Sequence, residues 1–123
     1  MYNVRLYFDE KGRVPVQEFL SFMQEGIRQK FYRNLEQLEQ LGPQLGRPYA
    51  DKVRDNLYEF RIRFGSDNIR ILYFFMIRDV VILAHAFKKD QWKLSENDIQ
   101  LAERRRNDFL MRYWKGDIKL DEE

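Results

Sequence analysis

The amino-acid sequence predicts a single α+β domain in which an antiparallel sheet packs against helices. Its 123 residues match the usual size of one domain, and 44% of them are hydrophobic, which is enough to build a core. Three apolar segments between residues 57 and 87 are separated only by short polar turns, as in strands joined by hairpins. Helical periodicity precedes and follows them. We expect the order β-α-α-β-β-β-α over residues 1–114, followed by an acidic C-terminal tail at 115–123.

The N-terminal half predicts one strand and two helices. Residues 2–8 alternate apolar and polar side chains, which is the period of a half-buried strand. Pro15 suits the first position of a helix, which Gly26 interrupts. A longer amphipathic helix follows and ends at Gly42-Pro43. The segment 42–56 contains two prolines, two glycines and several charges, so we expect it to be a loop.

The strand register follows from the lengths of the turns. Pairing Phe64 with Ile69 across a four-residue loop, and Ile77 with Val80 across Arg78-Asp79, places twelve apolar side chains on one face of the sheet. This predicted core face consists of Tyr58, Phe60, Ile62, Phe64, Ile69, Ile71, Tyr73, Phe75, Val80, Ile82, Ala84 and Ala86. The other face carries Leu72, Phe74 and Leu83 together with the charged residues described next.

Three arginines and the only histidine, His85, are expected together on that second face. The predicted register places Arg63 opposite Arg70, a like-charge pair that costs a few tenths of a kcal/mol unless an anion relieves it. The guanidinium group matches phosphate oxygens, and an aromatic neighbour such as Phe87 can stack on a base. The alternative interpretation is a solvated outer face on which Arg61 and its neighbours only provide solubility.

His85 and the basic residues around the strands each allow two interpretations. A single histidine in an apolar strand is commonly a packed, hydrogen-bonded residue, but near arginines its pKa would fall and favour a neutral base. Lys88 and Lys89, directly after the last strand, are either solvated or contact phosphate. Lys52 and Arg54 lie in the predicted loop and are further candidates for RNA contact.

The last helix is expected from Ser95 to about Trp114. Ser95 followed by Glu96 and Asp98 is typical of a helix start. An apolar stripe then consists of Ile99, Ala102, Phe109, Leu110 and Tyr113. Successive helical residues point about 100° apart, so the run 104–106 of three arginines cannot form one patch and is expected to be mostly solvated.

Composition excludes several classes of function. The absence of cysteine and the single histidine exclude disulfides, thiolate chemistry and a multi-histidine metal site, and no cofactor motif is present. No window approaches a membrane span, and the N-terminus lacks the pattern of a signal peptide, so we expect a cytoplasmic protein. The net charge of +2 argues against indiscriminate coating of nucleic acid, but residues 57–93 carry seven Lys or Arg against four Asp or Glu.

The motif LYEFRIRFGSDNIRILYFF, followed by VILAHAFKK, resembles the RelE superfamily of toxins from bacterial toxin–antitoxin pairs, most closely its phage-derived HigB-like branch. The resemblance implies a small ribonuclease that enters the ribosomal A site and cuts mRNA with the substrate 2′-hydroxyl as nucleophile. It also implies a cognate helix-turn-helix antitoxin as partner. Carried over residue by residue, the pattern places Arg61, Arg63 and Arg70 around the scissile phosphate and Lys88-Lys89 at the rim of the cleft.

Two alternatives of different function accompany this resemblance. The first is a non-enzymatic toxin: the related ParE branch shares the fold but poisons DNA gyrase without cutting RNA, and a phage-derived copy could bind another host protein instead. The second is a phage-derived family member that has lost its activity. The retained arginines favour cleavage, because a toxin that only binds a protein needs no phosphate site. Arginine itself is a poor base, so proton removal is expected from His85 or from a lysine with a lowered pKa. An antitoxin would then cover the arginine face or wedge the nearby helices apart.

Overall fold

The computed structural model describes residues 1–89 and 94–120. Its elements are β1 (Asn3–Leu6), α1 (Pro15–Ser21), α2 (Glu25–Leu41), a 3-10 turn (Gly42–Gln44), β2 (Ala50–Arg54), β3 (Leu57–Phe64), β4 (Asp67–Phe75), β5 (Val80–Lys88) and α3 (Glu96–Trp114). The predicted α+β class is confirmed. The extra strand β2 lies inside the segment that was expected to be a loop. Residues 121–123 of the expected tail lie outside the described residues.

The five strands form one mixed sheet in the order β1-β5-β4-β3-β2. The strands β3, β4 and β5 are antiparallel neighbours, as predicted, and the unpredicted β2 pairs antiparallel with β3. By contrast, β1 pairs with β5 in parallel. A parallel pair needs a long crossover, and the chain between β1 and β5 supplies it. The expectation of a purely antiparallel sheet was therefore wrong at this one edge.

The turn between β3 and β4 has two residues, not the four that were predicted. Phe64 pairs with Asp67 across Gly65-Ser66, and Gly65 has φ 61°, which suits the first central position of a tight hairpin turn. The pairing therefore shifts by two residues, so that Arg61 lies opposite Arg70 and Arg63 opposite Asn68. A shift of two preserves the faces, because side chains alternate with period two.

A β-bulge in β5 changes the face of its first half. Leu72 pairs with His85, as predicted, but the next residue of β4, Tyr73, pairs with Leu83. Beyond this bulge Leu83 packs into the core of α1 and α2, while Ile82 and Ala84 face α3. The predicted faces of Val80, Ile82, Leu83 and Ala84 were therefore wrong, because one extra residue inverts the alternation.

Helices cover both faces of the sheet. On one face, α1 and α2 enclose a core that includes Phe31, Leu38 and Phe60. On the other face, α3 covers Leu72 and Phe74, both fully buried, so this face is not the solvated surface that was considered. Beyond α3, Ile118 packs into the same cluster. The part of this face nearest the β3–β4 hairpin carries charged side chains instead of an apolar cover.

The helix α3 begins as the sequence predicted. The Ser95 side chain accepts a hydrogen bond from the backbone N–H of Asp98, which caps the first turn. The N-terminal part of α3 lies beside β5, where it brings Asp98 next to His85. No helix in the described ranges is long and apolar enough to cross a membrane.

Candidate active site on the sheet face beside helix α3

A buried carboxylate joins the two central arginines. Glu59, on β3, is only 4% exposed. Its Oε2 accepts a hydrogen bond from Nε of Arg70 at 2.9 Å, and its Oε1 accepts one from Nε of Arg61 at 3.2 Å. Since each arginine uses a different oxygen, one carboxylate holds both guanidinium groups side by side. We name Glu59, Arg61 and Arg70 the arginine clamp.

The clamp neutralises the repulsion between two arginines that the sequence predicted. The predicted pair was Arg63 and Arg70, whereas the observed pair is Arg61 and Arg70. Like charges directly opposite each other on neighbouring strands repel, and here the pair is Arg61 and Arg70. Glu59 supplies the negative charge that an external anion was expected to supply. Asp51, on β2, adds a second carboxylate at 3.2 Å from Nη2 of Arg61 and also pairs with the exposed Arg47.

Burial affects Arg70 more than Arg61. The Arg70 side chain is 13% exposed and that of Arg61 is 28% exposed. Burial lowers the pKa of Arg70, the Glu59 carboxylate opposes this effect, and the charge of Arg61 adds to the lowering. Because an arginine pKa begins above about 12, the group stays charged, and its field acts in a partly desolvated setting.

His85 is held in one orientation by helix α3. Its Nε2 lies 2.8 Å from Oδ1 of Asp98, and the other oxygen of Asp98 accepts a hydrogen bond from the Ser95 hydroxyl at 2.9 Å. The imidazole also stacks on the Phe87 ring, with 5.0 Å between centroids and 25° between planes. A carboxylate accepts hydrogen bonds, so the neutral ring carries its proton on Nε2 and leaves Nδ1 as an acceptor.

The environment keeps His85 neutral at physiological pH. Burial lowers the pKa of His85, the Asp98 carboxylate opposes this, and Arg105 adds to the lowering. His85 and Arg70 are diagonal neighbours on the sheet, because Arg70 pairs with Phe87 and Leu72 pairs with His85. Diagonal positions are roughly 7–8 Å apart, within the reach of one nucleotide. A neutral base and a cationic clamp therefore share one surface.

The structure brings only some of the predicted site residues to this surface. Arg61, Arg63, Arg70, His85 and Phe87 share the face. Arg63 is exposed, and no hydrogen bond or ion pair engages its side chain within residues 1–89 and 94–120. Lys89 adjoins the face, where its backbone N–H donates to the carbonyl of Asn68.

The other three predicted RNA contacts lie elsewhere. Lys88 pairs with Ile69 on the face of α1 and α2, and its Nζ lies 3.7 Å from Oδ1 of Asp67. Lys52 is exposed on the edge strand β2 and lies opposite Tyr58. Arg54 forms ion pairs with Glu96 and Glu103, and it thereby ties β2 to helix α3.

Two residues of the site were missed by sequence reasoning. Glu59 was given no role from the sequence, yet it is the centre of the arginine clamp. Its position two residues before Arg61, on the same strand face, was the signal available. Asp98 was recognised only as part of a helix start, and its contact with His85 depends on how α3 packs. In the described residues no group of three His, Asp or Glu side chains could hold a metal ion.

The arginines 104–106 are less solvated than expected. Nη1 of Arg105 donates to the Ala84 carbonyl at 2.8 Å, at the bulge of β5. Nη1 of Arg106 donates to the Asp55 carbonyl at 2.8 Å in the turn between β2 and β3. Only Arg104 of the three is exposed. These contacts hold α3 against the sheet and thus fix the position of Asp98.

Comparison with known proteins agrees with the resemblance seen in the strand motifs. A family model described as "Phage derived protein Gp49-like" matches residues 18–107. Over 77 residues the chain is 36% identical to a protein of Mycobacterium tuberculosis (strain ATCC 25618 / H37Rv) described as "Putative toxin HigB3", and this alignment covers 59% of the chain and 68% of the relative. Fold and similarity together define a toxin of the HigB-like type from a toxin–antitoxin system. The chain belongs to the Gp49-like family of phage-derived proteins.

Proposed function

We propose that this toxin is a ribosome-dependent mRNA endonuclease whose reaction takes place on the face formed by the arginine clamp and His85. The observation that carries the proposal is the pair of guanidinium groups fixed by Glu59 beside an oriented, neutral histidine. A protein that only binds another protein has no need for two partly desolvated cations held at a set spacing. The same arrangement suits a phosphodiester, whose reaction builds negative charge.

The reaction proposed is an intramolecular transesterification. The substrate 2′-oxygen forms a bond to the phosphorus, the bond from phosphorus to the 5′-oxygen breaks, and a 2′,3′-cyclic phosphate results. Charge on the non-bridging oxygens grows during this step, and Arg70 and Arg61 lie where their remaining N–H groups can stabilise it. Glu59 acts as a positioning residue, because it touches the arginines and not the substrate.

His85 is the proposed base. Its Nδ1 takes the proton of the 2′-hydroxyl, while Asp98 accepts the hydrogen bond from Nε2–H and stabilises the imidazolium that forms. The departing 5′-oxygen takes its proton from water. The lowered pKa of His85 keeps the basic form populated at neutral pH, and the two stacked faces of His85 and Phe87 limit rotation of the ring.

Flanking contacts complete the proposed RNA site. Arg63 and Lys89 both adjoin Asn68, on the hairpin side of the clamp, and are the basic residues proposed to bind a phosphate next to the cleaved bond. Phe87 stacks on His85 and is half-buried, and its remaining exposed edge is the aromatic surface proposed to contact a base. The remaining candidates, Lys52, Lys88 and Arg54, lie outside the face of the clamp. To bind RNA, Lys88 would have to leave Asp67, and Arg54 would have to leave Glu96.

The proposal is tested with purified ribosomes programmed with a defined message. Wild-type protein is expected to create new 5′ ends within codons, detected by primer extension, and Arg63→Ala is expected to weaken this activity without affecting the fold. If the protein cuts free RNA at the same rate, the proposed dependence on the ribosome is refuted. An intact message together with inhibited DNA gyrase would instead support a ParE-like function, and neither effect would indicate an inactive family member.

A further inference from the structure

A groove on the opposite side of the sheet is separate from the arginine clamp. It has a volume of about 600 Å³ and runs between β1 and the two N-terminal helices. Most of its wall is apolar and comes from Val4, Leu6, Leu20, Phe31, Tyr32 and Leu35. Tyr32 is 63% exposed although it lines this groove. A wall of this composition can bury the apolar side chains of a partner.

The groove adjoins unpaired backbone at the edge of the sheet. The amides of Asn3 and Tyr7 donate toward β5, to the carbonyls of Asp79 at 2.7 Å and Leu83 at 2.9 Å. Peptide groups alternate in direction along a strand, so those of Val4 and Leu6 point to the side on which β1 has no neighbouring strand. On this outer side the N–H of Tyr2 donates to the carbonyl of Glu39, near the end of α2, at 2.7 Å. Within residues 1–89 and 94–120 no backbone partner engages the outward donors and acceptors of Val4 and Leu6, whose side chains line the groove.

The two edges of the sheet differ in how they oppose strand addition. The edge strand β2 contains a bulge between Lys52 and Arg54, and both of these residues are basic and exposed. Bulges and basic side chains are the features by which natural sheets resist pairing with another chain. At β1, by contrast, the side chains beside the groove are the apolar Val4 and Leu6. The β1 edge is thus the one suited to accept a strand.

Charge also favours a particular kind of partner. Arg28 is the charged residue in the groove wall. Its Nη1 donates to the carbonyl of Leu20, in α1, and to that of Met23, just after α1, and these bonds hold the guanidinium group in place. No acidic side chain of the described residues pairs with Arg28. Its remaining N–H groups can accept a carboxylate from a partner.

We propose that the β1 groove, defined by Val4, Leu6, Leu20, Arg28, Phe31, Tyr32 and Leu35, binds an extended segment of the antitoxin that adds a strand to β1. The segment places alternate apolar side chains in the groove and a carboxylate on Arg28. The proposal rests on the chain being a toxin of a toxin–antitoxin system and not on RNA cleavage. Because the groove and the clamp lie on opposite faces, this segment leaves Arg61 and Arg70 uncovered.

The test uses the full chain and the product of the reading frame adjacent to its gene as the antitoxin probe. Tyr32→Ala and Val4→Pro are expected to weaken binding at least tenfold in calorimetric titrations. Proline removes the outward N–H of Val4 while the amides that pair with β5 remain. The matched controls are Phe22→Ala, which truncates an aromatic residue that is 84% exposed and outside the groove wall, and Val4→Thr, which keeps the N–H.

Hydrogen exchange gives a second measurement that needs no variant. The amides of Val4 and Leu6 in the wild-type chain are expected to exchange at least tenfold more slowly when the probe is bound. Unchanged exchange at both amides, wild-type affinity of Tyr32→Ala, or no binding by the wild-type chain would each overturn the proposal. A homodimer that Val4→Pro converts to monomers would assign the edge to a second copy and overturn it as well.

The cleavage assay separates this proposal from the proposed function. Tyr32→Ala is expected to cut ribosome-bound message at the wild-type rate, because Tyr32 lies on the other face of the sheet. A wild-type chain that cuts no RNA, but whose antitoxin binding depends on Tyr32 and Val4, would refute the nuclease and support the groove. A wild-type chain that cuts RNA, together with groove variants that bind the antitoxin with wild-type affinity, would support the nuclease and refute the groove.

Discussion

Arg61 and Arg70 lie directly opposite each other on β3 and β4, and their Nε atoms donate to the two different oxygens of the Glu59 carboxylate. Two guanidinium groups at such positions repel unless an anion lies between them. The buried position of Glu59 gives the pair a fixed geometry before any substrate arrives. Preorganised cations are worth more in a transition state than cations that must first be assembled.

Glu59→Gln is expected to slow cleavage by about 100-fold, because the amide cannot balance two cations and the guanidinium groups move apart. Stability is expected to fall by about 1–3 kcal/mol, less than for a fully buried pair since Arg61 is partly exposed. The measurements are single-turnover cleavage at saturating ribosomes and thermal melts. Asp51→Asn, at the exposed end of the network, is the control and is expected to change stability by less than about 1 kcal/mol.

Arg70→Lys is expected to abolish most cleavage while the protein remains folded, because lysine retains a charge for Glu59 but not the planar set of donors. The adjacent Ile71→Ala is expected to lose about 2–5 kcal/mol of stability, since Ile71 is fully buried in the core of α1 and α2. Circular dichroism melts and the ribosome assay are compared for both. A folded Arg70→Lys that cuts at the wild-type rate would contradict the role given to the clamp.

His85 contributes to the dependence of stability on pH. Its folded-state pKa lies below the ordinary value of 6.5, so between these two values the unfolded chain binds more protons than the folded one. Protonation of His85 therefore lowers the free energy of unfolding as the pH falls below 6.5. The variant His85→Gln lacks this contribution. Thermal melts from pH 7.5 to 5 measure the difference between the two proteins.

Asp98→Asn shifts the activity profile in a predictable direction. Asp98 raises the pKa of His85 against the effect of burial, so its neutralisation is expected to lower that pKa further. The acidic limb of the cleavage profile then moves to lower pH, while the maximal rate falls because the ring loses its orientation. An acidic limb that moves to higher pH would show that His85 is not the base.

Arg105→Met is expected to destabilise the protein by about 1–3 kcal/mol, because it leaves the Ala84 carbonyl at the bulge without its donor. Arg104→Met is the matched control from the same helix. Arg104 is exposed, so its replacement is expected to change stability by less than about 0.5 kcal/mol. Urea unfolding followed by fluorescence of the tryptophans gives both values. Equal stabilities would mean that Arg105 does not anchor α3.

The sequence by itself determined the helices and four of the five strands, all except β2, and much of the clustering of charge. Alternation of period two marked β3, β4 and β5, and the serine cap with its acidic first turn marked the start of α3. These are local signals, because side chains within a few residues of each other produce them. The faces of β3 and β4 were also correct despite the wrong turn length, since the error in register was two residues.

Only the tertiary structure decided which residues became neighbours. The parallel pairing of β1 with β5, the bulge beside Leu83 and the approach of Asp98 to His85 all join segments that are distant in the chain or depend on one inserted residue. Local periodicity carries no information about such contacts, because a bulge or a changed partner leaves the alternation on either side intact. For this reason the sequence could place Glu59, Arg61 and Arg70 on one face. The pairing of Arg61 opposite Arg70, which lets one carboxylate bridge both guanidinium groups, emerged only from the folded sheet.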